Sequence, residues 1–183
     1  MKAFIHIAVT VILLSSCLQE AKVSDIVPDS RNSWHVQLDS LLPLLGHRNW
    51  ILVVDKAFPL QSAPGIVYIN TSLPLPEVAA YTIKKINASS HVKPIIYTDK
   101  ELAYVPGAAA YRDSLQAILQ GFTPQQLLHD SVFTKLDKAS SLFKVVVLKT
   151  TTTVPYSSVF INLDCKYWNA QSEKKMREVM KSE

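Results

Sequence analysis

Apolar residues along this chain fall into two alternating patterns, one at helical spacing and one in short continuous runs. Leu38, Leu41, Leu42 and Leu45 stand at helical spacing with Pro43 among them, and Gly46 sits where a helix C-cap is expected. This is a short helix ending at Gly46. Residues 50–54 then form an unbroken apolar run that closes on Asp55, the pattern of a strand covered on both faces. A carboxylate at the C-terminal end of such a strand is a candidate site group. Further strands are expected at residues 65–70, 94–97, 144–148 and 159–163. Pro76-Glu77 opens a helix whose apolar face is Val78, Ala79, Ile83 and Ile86. A second helix, carrying Tyr111, Leu115, Ile118 and Leu119, stops at Gly121, and Thr123-Pro124 reads as an N-cap followed by an N1 proline. Strands alternating with helices predict a compact α/β domain.

The first residues do not belong to that pattern. Lys2 precedes an uncharged run from Ala3 to Leu14, too short to span a bilayer, and the run ends in Leu14-Ser15-Ser16-Cys17. This is the lipobox arrangement of a large apolar residue, two small residues and cysteine. Residues 1–16 are expected to be a lipoprotein signal peptide that is removed, with Cys17 the lipidated N-terminus. An ordinary secretory signal that contains a cysteine is the other reading. Residues 17–33 form a tether, residues 34–168 the domain, and residues 169–183 a charged C-terminal helix. The expected location is the cell envelope, lipid-anchored to a membrane and periplasmic or surface-exposed.

Composition narrows the chemistry. The formal charge of +4 is spread along the 183 residues, and the one basic cluster, Lys174, Lys175, Arg177 and Lys181, is interleaved with glutamates. That is a solvated helix and not a nucleic-acid surface. With Cys17 acylated, Cys165 has no disulfide partner and reads as a buried, inert thiol. No His-Glu-x-x-His, Cys-x-x-Cys, G-x-G-x-x-G or P-loop is present, so no metal site is expected, and four glycines make a phosphate cradle a poor expectation. What remains are polar residues at element ends: His47, Asp55, His129, Asp130, Tyr156 and Ser158. They suit proton transfer on a polyhydroxylated ligand. Each also has an ordinary reading. His47 would bond a helix-end carbonyl, Asp55 would form a turn before Pro59, Tyr156 would anchor a loop and His129 would sit on a helix surface.

Two blocks decide between these readings. Leu45-Gly46-His47, followed by a strand into Asp55-Lys56-Ala57-Phe58-Pro59, resembles the Gly-His … Asp-Ala-x-Phe/Leu-Pro signature of the D-ribose pyranase and L-fucose mutarotase family. Residues 154–161, Val-Pro-Tyr-Ser-Ser-Val-Phe-Ile, are similar to that family's closing Pro-Tyr-Ala-Asn-Ile segment. The resemblance implies a single domain with a mostly parallel sheet flanked by helices. It also implies interconversion of ring forms or anomers of a free monosaccharide such as ribose or fucose, without a cofactor. The family's proteins are closed homo-oligomers with sites near subunit interfaces. By the same resemblance His47, Asp55 and His129 are the catalytic candidates, the last in the segment His129-Asp130-Ser131-Val132-Phe133, and Tyr156, Ser158 and Lys56 are the candidates for binding substrate. The chain departs from the family in having Lys56 after Asp55, Ser158 where the family has Asn, and Lys149 followed by four threonines in place of a Thr-Gly-Glu turn. The alternative function is a non-catalytic sugar-binding or uptake-accessory lipoprotein that retains the pocket.

Overall fold

The computed structural model describes residues 33–181. The signal, Cys17 and nearly all of the tether lie outside the described residues. Ser33 caps α1 (Trp34–Leu41), its Oγ accepting the Val36 N–H at 3.5 Å. Pro43 then tightens the chain into a 3-10 turn at Leu42–Leu44. The remaining elements are β1 (Trp50–Val54), β2 (Ile66–Asn70), α2 (Leu75–Ala88), β3 (Val92–Asp99), a 3-10 turn (Lys100–Tyr104), α3 (Ala109–Ile118), β4 (Gln125–Leu127), α4 (His129–Ser140), β5 (Val145–Lys149), β6 (Val159–Cys165) and α5 (Ala170–Met180).

The six strands form one sheet in the order β2-β5-β1-β6-β3-β4. β1 and β2 each run parallel to β5, and β3 runs parallel to β4. The exception is β6, antiparallel to both β1 and β3. A parallel return from β5 would need a crossover of a dozen or more residues, and the link to β6 is shorter than that. The link therefore stays at one end of the sheet, passing over the C-terminal end of β1. The sheet is thus mixed but mostly parallel, as expected, with five strands running one way and β6 against them, and this short link sets one wall of the site described below.

Alternation along the strands divides the core in two. Ile51 and Val53 of β1 pack with Ile96, Val146, Leu148 and Ile161 against α1, α2 and α3. Trp50, Leu52 and Val54 pack with Val145, Val147 and Phe160 against α4, which contributes Val132, Leu136 and Ala139. The result is a single compact α/β domain, a six-stranded mixed sheet flanked by helices.

Three expectations change. Thr123-Pro124 opens the short edge strand β4, and the helix begins later, at His129. β3 continues two residues beyond Tyr97 to Asp99, because Thr98 and Asp99 are themselves buried. Cys165 is a free thiol, half-buried rather than buried. α5, capped by Asn169, buries none of its side chains.

Candidate functional site

The C-terminal end of β1, the start of α4 and the link from β5 to β6 meet around a concavity of about 440 Å3. Asp55, Lys56, Phe58, His129, Val154 and Tyr156 are among the residues lining it. Asp55 leaves β1 half-buried and is held on every side. Its Oδ1 accepts the Ala57 N–H at 2.7 Å, its own N–H donates to Ser158 Oγ at 3.3 Å, and Ser158 Oγ donates to Asp55 Oδ2 at 3.3 Å. The polythreonine segment grips the same stretch. Thr150 Oγ1 donates to the Val54 carbonyl at 2.7 Å, and the Lys56 N–H donates to the Thr152 carbonyl at 2.7 Å. Lys149 Nζ donates to the carbonyls of Lys56 and Phe58, so the loop after Asp55 is tied at both ends. Burial holds the Lys149 ammonium below its usual range, with Asp55 opposing and Lys56 adding to the fall.

His129 is the first residue of α4, and two acids from the end of β3 hold it. Its backbone N–H donates to the Glu101 carboxylate, at 3.0 Å to Oε1 and 3.3 Å to Oε2, which places a negative charge at the helix N-terminus. Its ring Nδ1 lies 3.0 Å from Asp99 Oδ2, and the Asp99 side chain has no solvent exposure. The ring edge meets Phe133 at 4.9 Å between centroids and Tyr156 at 5.3 Å, both nearly perpendicular. Phe58 stacks on Phe133 at 5.4 Å. The cavity thus pairs an imidazole and a carboxylate with an aromatic wall, the combination that suits a ring with hydroxyls on its edge and C–H groups on its faces.

Tyr156 reaches this position with φ of 57°, in the left-handed region where an aromatic residue is strained. The neighbouring backbone is fixed from the opposite side, since Tyr111 of α3 donates its hydroxyl to the Ser157 carbonyl at 2.9 Å. Burial pushes the Tyr111 phenol above its ordinary range, which keeps it a donor.

Asp55, Lys56, His129 and Tyr156 therefore share one cavity. Ser158 does not line it. The serine is buried beneath Asp55, and it holds that carboxylate in place. His47 does not reach it at all. It precedes β1, whereas Asp55 follows it, and a five-residue strand separates the two by about 17 Å. His47 Nδ1 instead lies 3.1 Å from Asp164 Oδ1 at the end of β6, and Arg48 Nε donates to its Nε2 at 3.3 Å. Burial raises the Asp164 carboxyl, but hydrogen bonds from the Cys165 backbone, Lys93 and His47 outweigh it and hold that group below the usual range.

Sequence reasoning missed Asp99, Glu101, Tyr111 and Lys149. The rule that singled out Asp55, a carboxylate closing a buried strand, applies equally to Asp99 once β3 is given its full length. Among the described residues no group of three or more His, Cys, Asp or Glu side chains is arranged to hold a metal ion.

No protein-family model matches the chain, and no curated protein matches it by sequence. Solved structures do match. RbsD of Bacillus subtilis, solved with D-ribose, is 17% identical with a TM-score of 0.53, over 74% of this chain and 92% of that one. The fucose mutarotase of Streptococcus pneumoniae, solved with L-fucose, is 15% identical with a TM-score of 0.50, over 76% and 93%. FucU of Bifidobacterium longum is 12% identical with a TM-score of 0.50, over 69% and 91%. At these identities the likeness is one of fold.

Proposed function

We propose that the chain binds a free monosaccharide in the cavity between Asp55, His129 and Tyr156 and speeds the exchange of its ring forms or anomers. The observation that carries this reading is the convergence of an imidazole, a carboxylate and a phenol on one aromatic-walled cavity. The fold around them is shared with proteins solved with D-ribose and L-fucose. Opening a hemiacetal moves the anomeric hydroxyl proton to a base while the C1 to ring-oxygen bond breaks and the ring oxygen takes up a proton. No redox partner is consumed and the atoms are conserved, so side chains suffice. His129 is the proton-exchanging group within one chain, Asp55 accepts a sugar hydroxyl, Tyr156 binds a sugar oxygen, and Lys56 sits at the rim.

The position of His47 gives the reading a condition. A second proton-exchanging group comes from His47 only if another copy brings it to the cavity, so the active species is a closed homo-oligomer. An isolated chain favours the second reading, a sugar-binding or uptake-accessory protein without catalysis. Saturation-transfer NMR separates the two. Faster exchange of ribose, fucose or a related sugar supports the first, and calorimetric binding with unchanged exchange selects the second. We further propose that Cys17 carries lipid and places the protein in the cell envelope.

A further inference from the structure

The conserved chemistry of ring opening asks for one cavity atom able to take a proton and return it, and the surroundings of His129 single out which atom that is. The His129 ring offers two nitrogens. Nδ1 is committed to Asp99 Oδ2 at 3.0 Å on the buried side, and Nε2 has no hydrogen bond to the protein among the described residues. Backbone and side chain are fixed together, because Asp99 closes β3 and Glu101, two residues on, holds the His129 N–H. Phe133 and Tyr156 flank the ring edge-on and leave it little room to turn.

Asp99 itself is unusual. It is 2% exposed, and its second oxygen, Oδ1, is buried without any hydrogen-bond partner. A buried carboxylate ordinarily gathers several donors, and each one draws charge away from the others. Here, among the described residues, His129 supplies the only one to its side chain. The side chain projects from β3 on the same face as Tyr97, two residues earlier, which packs against Trp50 beside α4. The charge is therefore directed at a single ring nitrogen.

We propose that Asp99 is a positioning residue, which keeps the proton of neutral His129 on Nδ1 and so presents Nε2 to the cavity as a bare base. When Nε2 takes the anomeric proton, the Asp99 carboxylate stabilises the imidazolium that forms, and the proton then returns from Nε2. This assignment rests on the proposed function for its catalytic meaning. The state of the histidine ring does not depend on that function and is measurable without any sugar.

The test is nitrogen-15 NMR of the full chain, labelled at histidine and held at pH 8, combined with sugar exchange kinetics for Asp99→Asn. In the wild-type protein the neutral His129 is expected to be protonated mainly on Nδ1. In Asp99→Asn the amide presents an N–H to the ring, the proton moves to Nε2, and kcat for exchange falls by about 100-fold or more with KM changed less than about threefold. A wild-type His129 protonated mainly on Nε2 overturns the proposal, as does an Asp99→Asn variant whose tautomer and kcat both stay unchanged. If Asp99→Asn does not fold, the wild-type tautomer alone decides. If no sugar is exchanged by any form of the protein, the tautomer measurement still decides the role of Asp99 while the functional reading fails separately.

Discussion

Asp99, behind the site, is a buried carboxylate whose charge is costly. Its carboxyl is pushed up to about 6, chiefly by burial. The bond and charge of His129 oppose that rise, and the charges of Glu101 and Asp55 add to it. The native state thus binds this proton more tightly than the unfolded chain, in which the group titrates near 3.8. Stability attributable to Asp99 is accordingly greatest below about pH 4, declines as pH rises to about 6, and is fully lost above that. Urea unfolding of wild type and Asp99→Asn across pH 4 to 7 checks the sign. The advantage of Asn over Asp is expected to grow with pH by an amount on the order of 1–3 kcal/mol. A constant difference would contradict the buried charge. A protein that tolerates this cost next to a histidine in a cavity has the pattern expected of a functional site.

At the scale of elements, the site depends on two pieces of chain meeting at one end of β1. β6 is the central antiparallel strand, and Phe160 is its largest side chain, wholly buried against α4. Phe160→Ala is expected to cost about 3–5 kcal/mol in urea unfolding, because it leaves a void in a fully buried, packed face. The loop after Asp55 is tied by backbone bonds and by one ammonium, Lys149, which spans the carbonyls of Lys56 and Phe58. Lys149→Met removes both bonds while keeping the stem. Weaker sugar binding, by about tenfold on the order of one charged hydrogen bond, is expected in calorimetry with little change in fold by circular dichroism. These same elements show what the sequence discloses. Short, β-branched-rich apolar runs such as residues 50–54 and 159–163 read as covered strands, and their ends are legible to a residue or two. β4 is not, because it is three residues long, mostly exposed and preceded by Thr123-Pro124, a pair with equal meaning at a helix start. Asp99 is hidden for a related reason, since Thr98-Asp99-Lys100 reads as polar and the burial of Asp99 comes with β4 and α4, far away in sequence. His47 and Asp55 appear together in a motif, but an extended chain carries residues eight positions apart to opposite ends of a sheet. Motif adjacency and spatial adjacency part company there.

For the whole molecule, the separation of His47 from the cavity makes assembly part of the proposed function. If a neighbouring copy supplies His47, then His47→Ala removes exchange without disturbing the monomer, since the residue is half-exposed in an isolated chain. The expected result is an oligomer of wild-type size by light scattering, with exchange reduced about 100-fold or more. A monomeric wild-type protein with full activity would contradict this placement. The proposed lipid anchor at Cys17 is a separate claim from the proposed site. Cys17→Ala is expected to move the protein from the membrane to the soluble fraction and to remove the acyl mass from its N-terminal peptide, while the cavity residues stay unchanged. The central claim is the sugar chemistry of the cavity, and saturation-transfer NMR of the assembled wild-type protein against a panel of pentoses and 6-deoxyhexoses tests it most directly. Accelerated exchange for at least one sugar, lost in His129→Ala, is the predicted result. No acceleration and no binding across the panel would contradict it.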